Sequence, residues 1–439
     1  MEVEPIVIET NTPEEDFSKL CIGLEDVGFV DVHAKALENA CNYLKEAIDL
    51  DFMKRKSFTK KLVSSRPHLF INAKTQSTVI LDEPAEEECL EGTFFEIVCF
   101  SKRLDEMESL VQTLKKLLIE KVGVPKAKIH DGNIDDLCNK RFIKSLSETQ
   151  RSIMVKKVGT DVLDVFKQEK IKDGLKALTT LPFKVFDRFT LHGANPQALV
   201  SFGLLRENYS PICKKCGPSS VAIALYDSQE SLSSALKRKT LICSKCGSEL
   251  NPENATIRSH FCFTNLGLEC AKGLWLEAYV KSILEELGIF GDRMKLCAVH
   301  GKDELDFVFT DCGNLYVCEC RDKVVGRNDI YVLAMKVNRI EEDEESEASP
   351  NKVLVISTKS ISKDIISSER AEEGKPQYVA VCGDMDAIRN NLVKSIRKAR
   401  RKYKREKTKQ LSQILHDCTP LNTEEIIQRA ISLEEYPFF

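Results

Sequence analysis

Two neighbouring segments of the chain alternate apolar and polar residues with the period of a β-strand. They span residues 304–310 and 315–321, and a short turn over residues 311–314, Asp-Cys-Gly-Asn, separates them. Alternation on both sides of a Gly-containing turn predicts an antiparallel hairpin. If the turn is centred on its two middle residues, Asp306 faces Glu319 across the hairpin.

Two facing carboxylates repel each other, so a purely structural sheet should avoid this pair. A divalent cation removes the repulsion, and Mg²⁺ binds through one or two carboxylates together with water and phosphate oxygens. A third acid, Glu277, lies in a segment with helical spacing of apolar residues. These apolar residues are Leu274, Val280, Ile283, Leu284 and Leu287.

The order of these acids carries a family resemblance. Glu277 on a helix, Asp306 on a strand and the Glu-x-Arg motif of residues 319–321 resemble the PD-(D/E)xK, restriction-endonuclease-like nucleases. The Gly-x-Trp-Leu-Glu opening at residues 273–277 and the Glu-Leu-Asp segment are most similar to the nuclease domain of CRISPR-associated ancillary nucleases. The resemblance covers residues 262–392. It implies an α/β nuclease core in which Asp306 and Glu319 hold Mg²⁺ or Mn²⁺ and Glu277 completes or polarises the site.

The sequence departs from the family at one catalytic position. The family has Lys two residues after the second strand carboxylate, whereas this chain has Arg321. Arginine binds phosphate but does not deprotonate, so it cannot act as a lysine-type general base. Lys323 is expected to substitute if the strand continues that far. The alternative is a non-catalytic DNA-binding or regulatory protein that keeps the nuclease fold.

The segments after the hairpin fit an α/β layer. Apolar spacing predicts helices over residues 328–340 and 362–373, and short apolar runs predict strands over residues 352–357 and 377–382. With the hairpin, these elements form the restriction-endonuclease-like core.

The part of the chain before this core is predicted to hold two further units. Residues 1–135 are expected to form an α/β unit with strands near 5–9, 68–72, 77–81, 94–100 and 126–130, and helices near 33–50 and 104–122. Residues 136–210 are interpreted as helical segments, either a degenerate winged helix or a connector packed on its neighbours. No motif assigns a ligand to residues 1–135, although the resembled nucleases carry a nucleotide sensor there.

Two Cys-x-x-Cys-Gly knuckles lie within residues 211–255, at Cys213/Cys216 and Cys243/Cys246. Four thiolates in two such pairs favour a closed, structural four-cysteine zinc ribbon, with a short helix or hairpin expected between the knuckles. His260, Cys262, Cys270, Cys297 and His300 are interpreted as packing or surface residues, because the set of four thiolates is already complete.

Charge is segregated along a chain whose formal net charge is −4. Residues 341–347 are acidic, whereas residues 394–409 hold ten Lys or Arg and one acid. We expect residues 393–439 to form a basic helical tail that follows a phosphate backbone, although such a run is often only a solvated helix face. The predicted nucleic-acid contacts are Arg397, Lys398, Arg400, Arg401, Lys402, Lys404 and Arg405.

Together these patterns predict a multidomain α/β (α+β) protein of 439 residues that acts as a metal-dependent nuclease. Zn²⁺ is the expected structural cofactor and Mg²⁺ or Mn²⁺ the catalytic one. DNA is the favoured nucleic-acid partner. A homodimer and a nucleotide ligand of the N-terminal unit stay open. No run of eighteen apolar residues and no signal segment occurs, so we expect a soluble, cytoplasmic protein without membrane contact.

Overall fold

The computed structural model shows a mixed α/β protein with several sheets. It describes residues 2–32, 68–72, 74–75, 77–82, 85–86, 93–179, 185–186, 196–217, 225–342, 350–362 and 376–418. Within these ranges, no helix combines the length and the apolar character that a membrane crossing requires.

A seven-stranded sheet forms the N-terminal part of the chain. Its strands are β1 (Glu2–Thr10), β2 (Val30–Asp31), β3 (His68–Asn72), β4 (Ser77–Leu81), β5 (Ala85–Glu86), β6 (Thr93–Ser101) and β7 (Ile129–Asp131). The main path is β2-β3-β4-β6-β1-β7, and every pairing is antiparallel. Helices α1 (Pro13–Asp26) and α2 (Leu104–Leu117) pack on one face of this sheet.

Most predicted elements of this region are confirmed, because their apolar positions are the ones that the sheet buries. The strands predicted near residues 5–9, 68–72, 77–81 and 94–100 are present, and the helix from residue 104 continues as a π-helical turn to Val122. The predicted strand over 126–130 is wrong in its first half, where residues 126–128 form a 3₁₀ turn. The helix predicted over 33–50 lies outside the described residues.

Short helices connect this sheet to the rest of the chain. They are α3 (Ile134–Ser145), α4 (Gln150–Lys157), α5 (Thr160–Phe166), α6 (Glu169–Leu178) and α7 (Pro196–Ser201), with strands β8 (Ser147–Glu148) and β9 (Val185–Phe186) between them. The predominantly helical character of residues 136–210 is therefore present. Val185 and Phe186 are not part of a helix, because they pair with a later strand.

A long β-pair leads into the cysteine knuckles. Strands β10 (Leu205–Cys213) and β13 (Ala255–Phe263) are antiparallel over their whole length, and β9 joins β13. Between β10 and β13 lie helix α8 (Gln229–Lys237) and the two-stranded ribbon β11 (Leu241–Ile242) and β12 (Glu249–Leu250). The helix expected between the two knuckles is thus confirmed.

A six-stranded sheet forms the core of the C-terminal half, in the order β18-β17-β16-β15-β14-β8. Its strands are β14 (Met294–His300), β15 (Asp303–Asp311), β16 (Asn314–Arg321), β17 (Lys352–Ser357) and β18 (Gln377–Cys382). Strands β14 to β16 are antiparallel, whereas β16, β17 and β18 are parallel. The predicted strands are confirmed, and the helix predicted over 362–373 lies almost entirely outside the described residues.

Helices cover both faces of this six-stranded sheet. A short helix α9 (Asn265–Glu269), a π-helical turn (Cys270–Leu274) and helix α10 (Trp275–Glu286) follow one another, and α10 packs with the final helix α12 (Met385–Cys418) on one face. Helix α11 (Arg327–Glu341) packs on the opposite face. Alternate strand residues point to opposite faces, which is why successive residues of β15 and β16 join different clusters.

The C-terminal basic segment is not a free tail, because helix α12 packs against both large sheets. Ile388, Leu392 and Ile396 join the core of the six-stranded sheet. Further along the same helix, Leu411 and Tyr403 pack on the N-terminal sheet, on the face opposite α1 and α2. The helix predicted for the tail over residues 393–439 is present to Cys418, and residues 419–439 lie outside the described residues.

Candidate functional site

The hairpin formed by β15 and β16 has the predicted register. Phe307 faces Cys318, and Cys312 and Gly313 form the turn with φ angles of 51° and 74°. Two successive left-handed residues are the signature of a type I′ turn, whose twist suits a two-residue hairpin. Glycine adopts this conformation without a steric penalty, which explains its presence in the turn.

Continuing this register makes Asp306 and Glu319 the next facing pair, at the point where the backbone ladder between β15 and β16 ends. Here the backbone N–H of Cys320 donates to Asp306 Oδ2 at 2.7 Å, so the aspartate side chain takes a hydrogen bond from the neighbouring strand. Glu319 alternates with Cys318 and Cys320, which pack on the α10 side, and it contacts Lys336 of α11. Asp306 lies between Leu305, which packs with α11, and Phe307, which packs with α10.

Glu277 reaches the same region from helix α10, where it lies in the first turn. A helix N-terminus favours negative charge. The π-helical turn before α10 ends on a bend at Gly273, with φ 121°, a conformation that side-chain-bearing residues rarely adopt. The Gly-x-Trp-Leu-Glu segment therefore places the start of α10, and with it Glu277, beside the sheet.

All three carboxylates are buried: Glu277 is 2% exposed, Asp306 7% and Glu319 5%. Burial, followed by the charge of Asp306, raises the pKa of Glu277 to about 7. The same two causes raise the pKa of Glu319 to about 7, and burial raises the pKa of Asp306. The charge of Asp306 therefore acts on both glutamates, which links the three groups electrostatically.

Arg321 lies between the two strand carboxylates. Its guanidinium donates to Glu319, and Nη1 lies 3.8 Å from Asp306 Oδ2. The other oxygen of Glu319, Oε2, is buried and lacks a hydrogen-bond partner among the residues that the structure describes. Arg321 thus neutralises part of the charge, but it leaves one acceptor unsatisfied, which is costly in a protein interior.

Lys323 does not lie with this group, which corrects the expectation that it follows Arg321 on the same strand face. Strand β16 ends at Arg321, and the chain then turns, because Asp322 is held by Thr358 and by Lys176. The Lys323 ammonium pairs with Asp329 at 2.7 Å instead, and its side chain is half exposed.

Two cations that the sequence analysis missed occupy the site. Arg151 of helix α4 donates two hydrogen bonds to Glu277, and its Nη1 lies 3.3 Å from Glu269. Lys336 of helix α11 has its ammonium 3.4 Å from Glu319 Oε1, donates to the backbone carbonyl of Glu304 at 2.6 Å, and is only 15% exposed. Arg151 lies far from the acids in sequence, so no local pattern marks it.

A signal for Lys336 does exist in the sequence. It lies three residues after Leu333 and four before Ile340, on the side of α11 that packs against the sheet. A lysine among buried helical positions needs an acceptor, and the nearest strand carboxylate, Glu319, provides one.

Cys297 also contacts the site, although the sequence analysis interpreted it only as a packing residue. It is buried, its φ is 44°, and its Sγ lies 3.7 Å from Glu277 Oε2. Burial raises the pKa of the Cys297 thiol, so it stays protonated and donates to the glutamate. Left-handed conformations of residues other than glycine are strained and occur preferentially at functional sites.

The cluster of four cysteines has the geometry of a structural metal site. The sulfurs of Cys213 and Cys246 lie 3.9 Å apart, and those of Cys243 and Cys216 lie 3.8 Å apart. A tetrahedron of thiolates at about 2.3 Å from zinc has edges of about 3.8 Å. Gly217 and Gly247 after the knuckles have positive φ, as the tight turn toward the sulfurs requires. The cluster can therefore hold a metal ion such as Zn²⁺.

Within the described part of the chain, the four cysteines are the only group of three or more His, Cys, Asp or Glu side chains whose ligand atoms all lie within 4.8 Å of one another. The three carboxylates do not converge to that degree, because Arg151 and Arg321 bind them separately. Mg²⁺ requires only one or two protein carboxylates, so the Asp306–Glu319 pair meets its minimum.

The predicted nucleic-acid residues divide into two groups on helix α12. Arg400 binds Asp311 through Nε and Nη2, at 2.8 and 2.9 Å, and Lys404 pairs with Glu2. These two ion pairs hold the helix on the sheets, and the assignment of Arg400 and Lys404 to nucleic-acid binding stays a prediction. The other five predicted contacts, which lie at least partly open to solvent, are Arg397, Lys398, Arg401, Lys402 and Arg405. Helix α12 packs on the face of the sheet opposite α11.

The chain matches no protein-family model and no curated protein. Among solved structures, it is similar to Can2 from Sulfobacillus thermosulfidooxidans in complex with cyclic tetra-adenylate, with 13% identity and a TM-score of 0.33, over 78% of this chain and 70% of that one. It is also similar to the protein VC1899 from Vibrio cholerae, with 14% identity and a TM-score of 0.28, over 62% and 64%. At these scores neither likeness bears on what the chain does.

Proposed function

We propose that this chain is a metal-dependent nuclease that hydrolyses phosphodiester bonds at the site formed by Glu277, Asp306 and Glu319. The observation that supports it most is the buried carboxylate pair on β15 and β16, in which Glu319 Oε2 lacks a hydrogen-bond partner among the described residues. A buried acceptor without a partner is costly, and a bound cation would satisfy it. This proposal includes the assignment of residues 262–392 to the PD-(D/E)xK nucleases.

The residues present fit a divalent cation. The buried Glu319 Oε2 has no hydrogen-bond partner in the described part of the chain, and it belongs to a carboxylate beside a second one, Asp306. Asp306 and Glu319 are the residues that would hold Mg²⁺ or Mn²⁺, with Glu277 completing or polarising the site. A bound ion of this kind supplies an activated water and stabilises charge on the phosphate.

We assign the basic residues of the site to phosphate binding, to proton transfer and to the orientation of Glu277. Arg321 has a fixed charge and a planar guanidinium, which suits binding of the scissile phosphate. Lysine side chains, unlike arginine, can act in proton transfer, and the Lys336 ammonium lies beside Glu319. We therefore assign Lys336 the proton transfer that Arg321 cannot perform. Arg151 orients Glu277 through two hydrogen bonds.

The remaining assignments are parts of the same proposal. Zn²⁺ stabilises the four-cysteine ribbon, DNA is the favoured substrate, and the protein works in the cytoplasm. The N-terminal sheet has no assigned ligand, and a nucleotide there stays a prediction, as do a homodimer and the winged-helix interpretation of residues 136–210.

A second function, nucleic-acid binding without cleavage, is favoured by a different observation. Arg321 and Arg151 bind the carboxylates directly, and an ion pair of this kind can replace a metal. In that case the acids and arginines form a buried structural network, and the exposed basic face of α12 performs the only nucleic-acid contact.

Cleavage assays separate the two functions. Supercoiled, linear and single-stranded DNA are incubated with pure protein and Mg²⁺, Mn²⁺ or EDTA. We expect cleavage with either ion, none with EDTA, and at least a hundredfold loss, of about 3 kcal/mol, in Asp306→Asn and in Glu319→Gln. Glu304→Gln, an exposed glutamate on the same strand as Asp306, is the matched control and should cleave normally. If the wild type cleaves none of these DNA substrates, and does not cleave RNA tested in the same way, the nuclease is contradicted. Nucleic-acid binding without cleavage is then the remaining function.

A further inference from the structure

We infer that a basic cleft between the C-terminal end of α10 and helix α12 is a second nucleic-acid site, which anchors the substrate backbone away from the cut. The inference rests on the proposed function, since the substrate it names is the nucleic acid cleaved at the carboxylate site. Among the exposed basic residues of α12, it assigns nucleic-acid binding only to those that line one cavity.

The cleft is a cavity of about 420 Å³ with predominantly polar walls. Four basic side chains of α12 line it, Arg389, Lys394, Arg397 and Arg401, together with Glu286 and Leu287 at the end of α10. A concave surface with several cations matches a phosphate backbone better than a flat helix face does, because it surrounds the anion and partly excludes water.

Charge in the cleft is not balanced internally. Arg389 is paired with Glu286, which is the only acid among the described residues that line the cleft. Lys394, Arg397 and Arg401 follow one another at spacings of three and four residues, so they project from one side of the helix. The cleft therefore presents about three positive charges, which favours a polyanion with regularly spaced phosphates over a single small anion.

The cleft lies too far from Glu277 to take part in the cleavage reaction. Glu277 lies in the first turn of α10, and Leu287 follows its last turn, ten residues later. At about 1.5 Å per residue the two ends are about 15 Å apart. At about 3.4 Å per nucleotide, a strand must extend at least about four nucleotides beyond the cut to reach the cleft.

The test measures binding of a fluorescein-labelled DNA duplex of about 20 base pairs by anisotropy in EDTA, over a range of salt concentrations. Arg397→Ala/Arg401→Ala removes two cleft charges. Lys398→Ala/Arg405→Ala is the matched control, because it removes two charges from positions of α12 that do not line the cavity. We expect the cleft variant to bind at least about tenfold more weakly and its salt dependence to flatten by about two in log–log slope.

The outcomes are distinct. Equal losses of DNA affinity in the two variants would indicate diffuse attraction along the helix. Unchanged affinity of the cleft variant would mean that the cavity does not bind DNA. Either result contradicts the proposed cleft site. Melting temperatures equal to that of the wild type confirm that both variants are folded. Cleavage of the same DNA with Mn²⁺ is scored separately. A wild type that binds through the cleft but never cuts would contradict the nuclease and leave the cleft standing.

Discussion

Removing the charge of Asp306 should not destabilise the metal-free protein, although Asp306 is buried. Its carboxylate raises the pKa of both Glu277 and Glu319, so in the absence of a bound metal ion it repels both glutamates. Asp306→Asn removes that charge and keeps an oxygen that can accept the hydrogen bond from the Cys320 amide. We expect an unfolding free energy at about pH 8 in EDTA that is equal to or higher than that of the wild type.

The magnitude follows from the pKa values. Raised pKa values, about 7 for Glu277 and Glu319 against an ordinary value of 4.5, mean that the folded protein retains protons that the unfolded chain releases. The contribution of these two glutamates to stability is therefore greatest below about pH 4.5 and is lost as the pH rises through about 7. At about 1.4 kcal/mol per pKa unit, each glutamate costs about 3 kcal/mol at neutral pH. Burial is the larger cause of the two raised pKa values, and it persists in Asp306→Asn. The variant should therefore regain on the order of 1 kcal/mol of unfolding free energy.

Asp311 provides the matched control, since it is also a buried aspartate of β15, at 2% exposure. It is satisfied by two hydrogen bonds from Arg400. Asp311→Asn breaks that pair and should cost about 3 kcal/mol, because a partly buried guanidinium loses its partner. Urea unfolding of wild type and both variants, in EDTA at about pH 5.5 and about pH 8, measures the difference.

The comparison of unfolding free energies at the two pH values also tests the direction of the effect. Wild type should lose stability between about pH 5.5 and about pH 8, and Asp306→Asn should lose less. If Asp306→Asn were destabilised as much as Asp311→Asn at the higher pH, the carboxylates would be a satisfied structural network, and the repulsion argued here would be refuted.

The remaining predictions concern the metal ribbon and the basic residues of the site. Elemental analysis should find about one zinc per chain, and Cys213→Ser should lower the melting temperature and release the metal, because structural zinc contributes folding free energy; a zinc-free folded protein would contradict this. Lys336→Met should reduce cleavage about a hundredfold, of the size of a general-acid contribution, whereas Lys323→Met should not. Arg321→Lys should keep or increase cleavage; complete loss would assign the guanidinium an indispensable role.

The elements nearest the site could be predicted from the sequence because their signals are local. The alternation of residues 304–310 and 315–321 and the turn between them set the register of the hairpin, and the structure has that register. The same holds for the helix that carries Glu277, whose apolar spacing matches its buried face. Both depend only on residues that are close in the chain.

The rest of the site could not be predicted because it depends on long-range contacts. Arg151 meets Glu277 across 126 residues of sequence, and no pattern within helix α4 indicates that partner. Lys323 was misplaced for a related reason. Strand β16 ends where Asp322 binds Thr358, 36 residues later. Arg400 similarly looks like any other residue of the basic run until the fold brings Asp311 to it.

Direct titration of Mn²⁺ tests the central claim, that Asp306 and Glu319 form a divalent-cation site. Electron paramagnetic resonance measures the free ion, and zinc-loaded protein keeps the four-cysteine cluster from competing. We predict at least one Mn²⁺ bound per wild-type chain, displaced by excess Mg²⁺, and loss of that binding in Asp306→Asn and Glu319→Gln but not in Glu304→Gln. Equal Mn²⁺ binding by all four proteins, or none by the wild type with DNA present, would contradict the account.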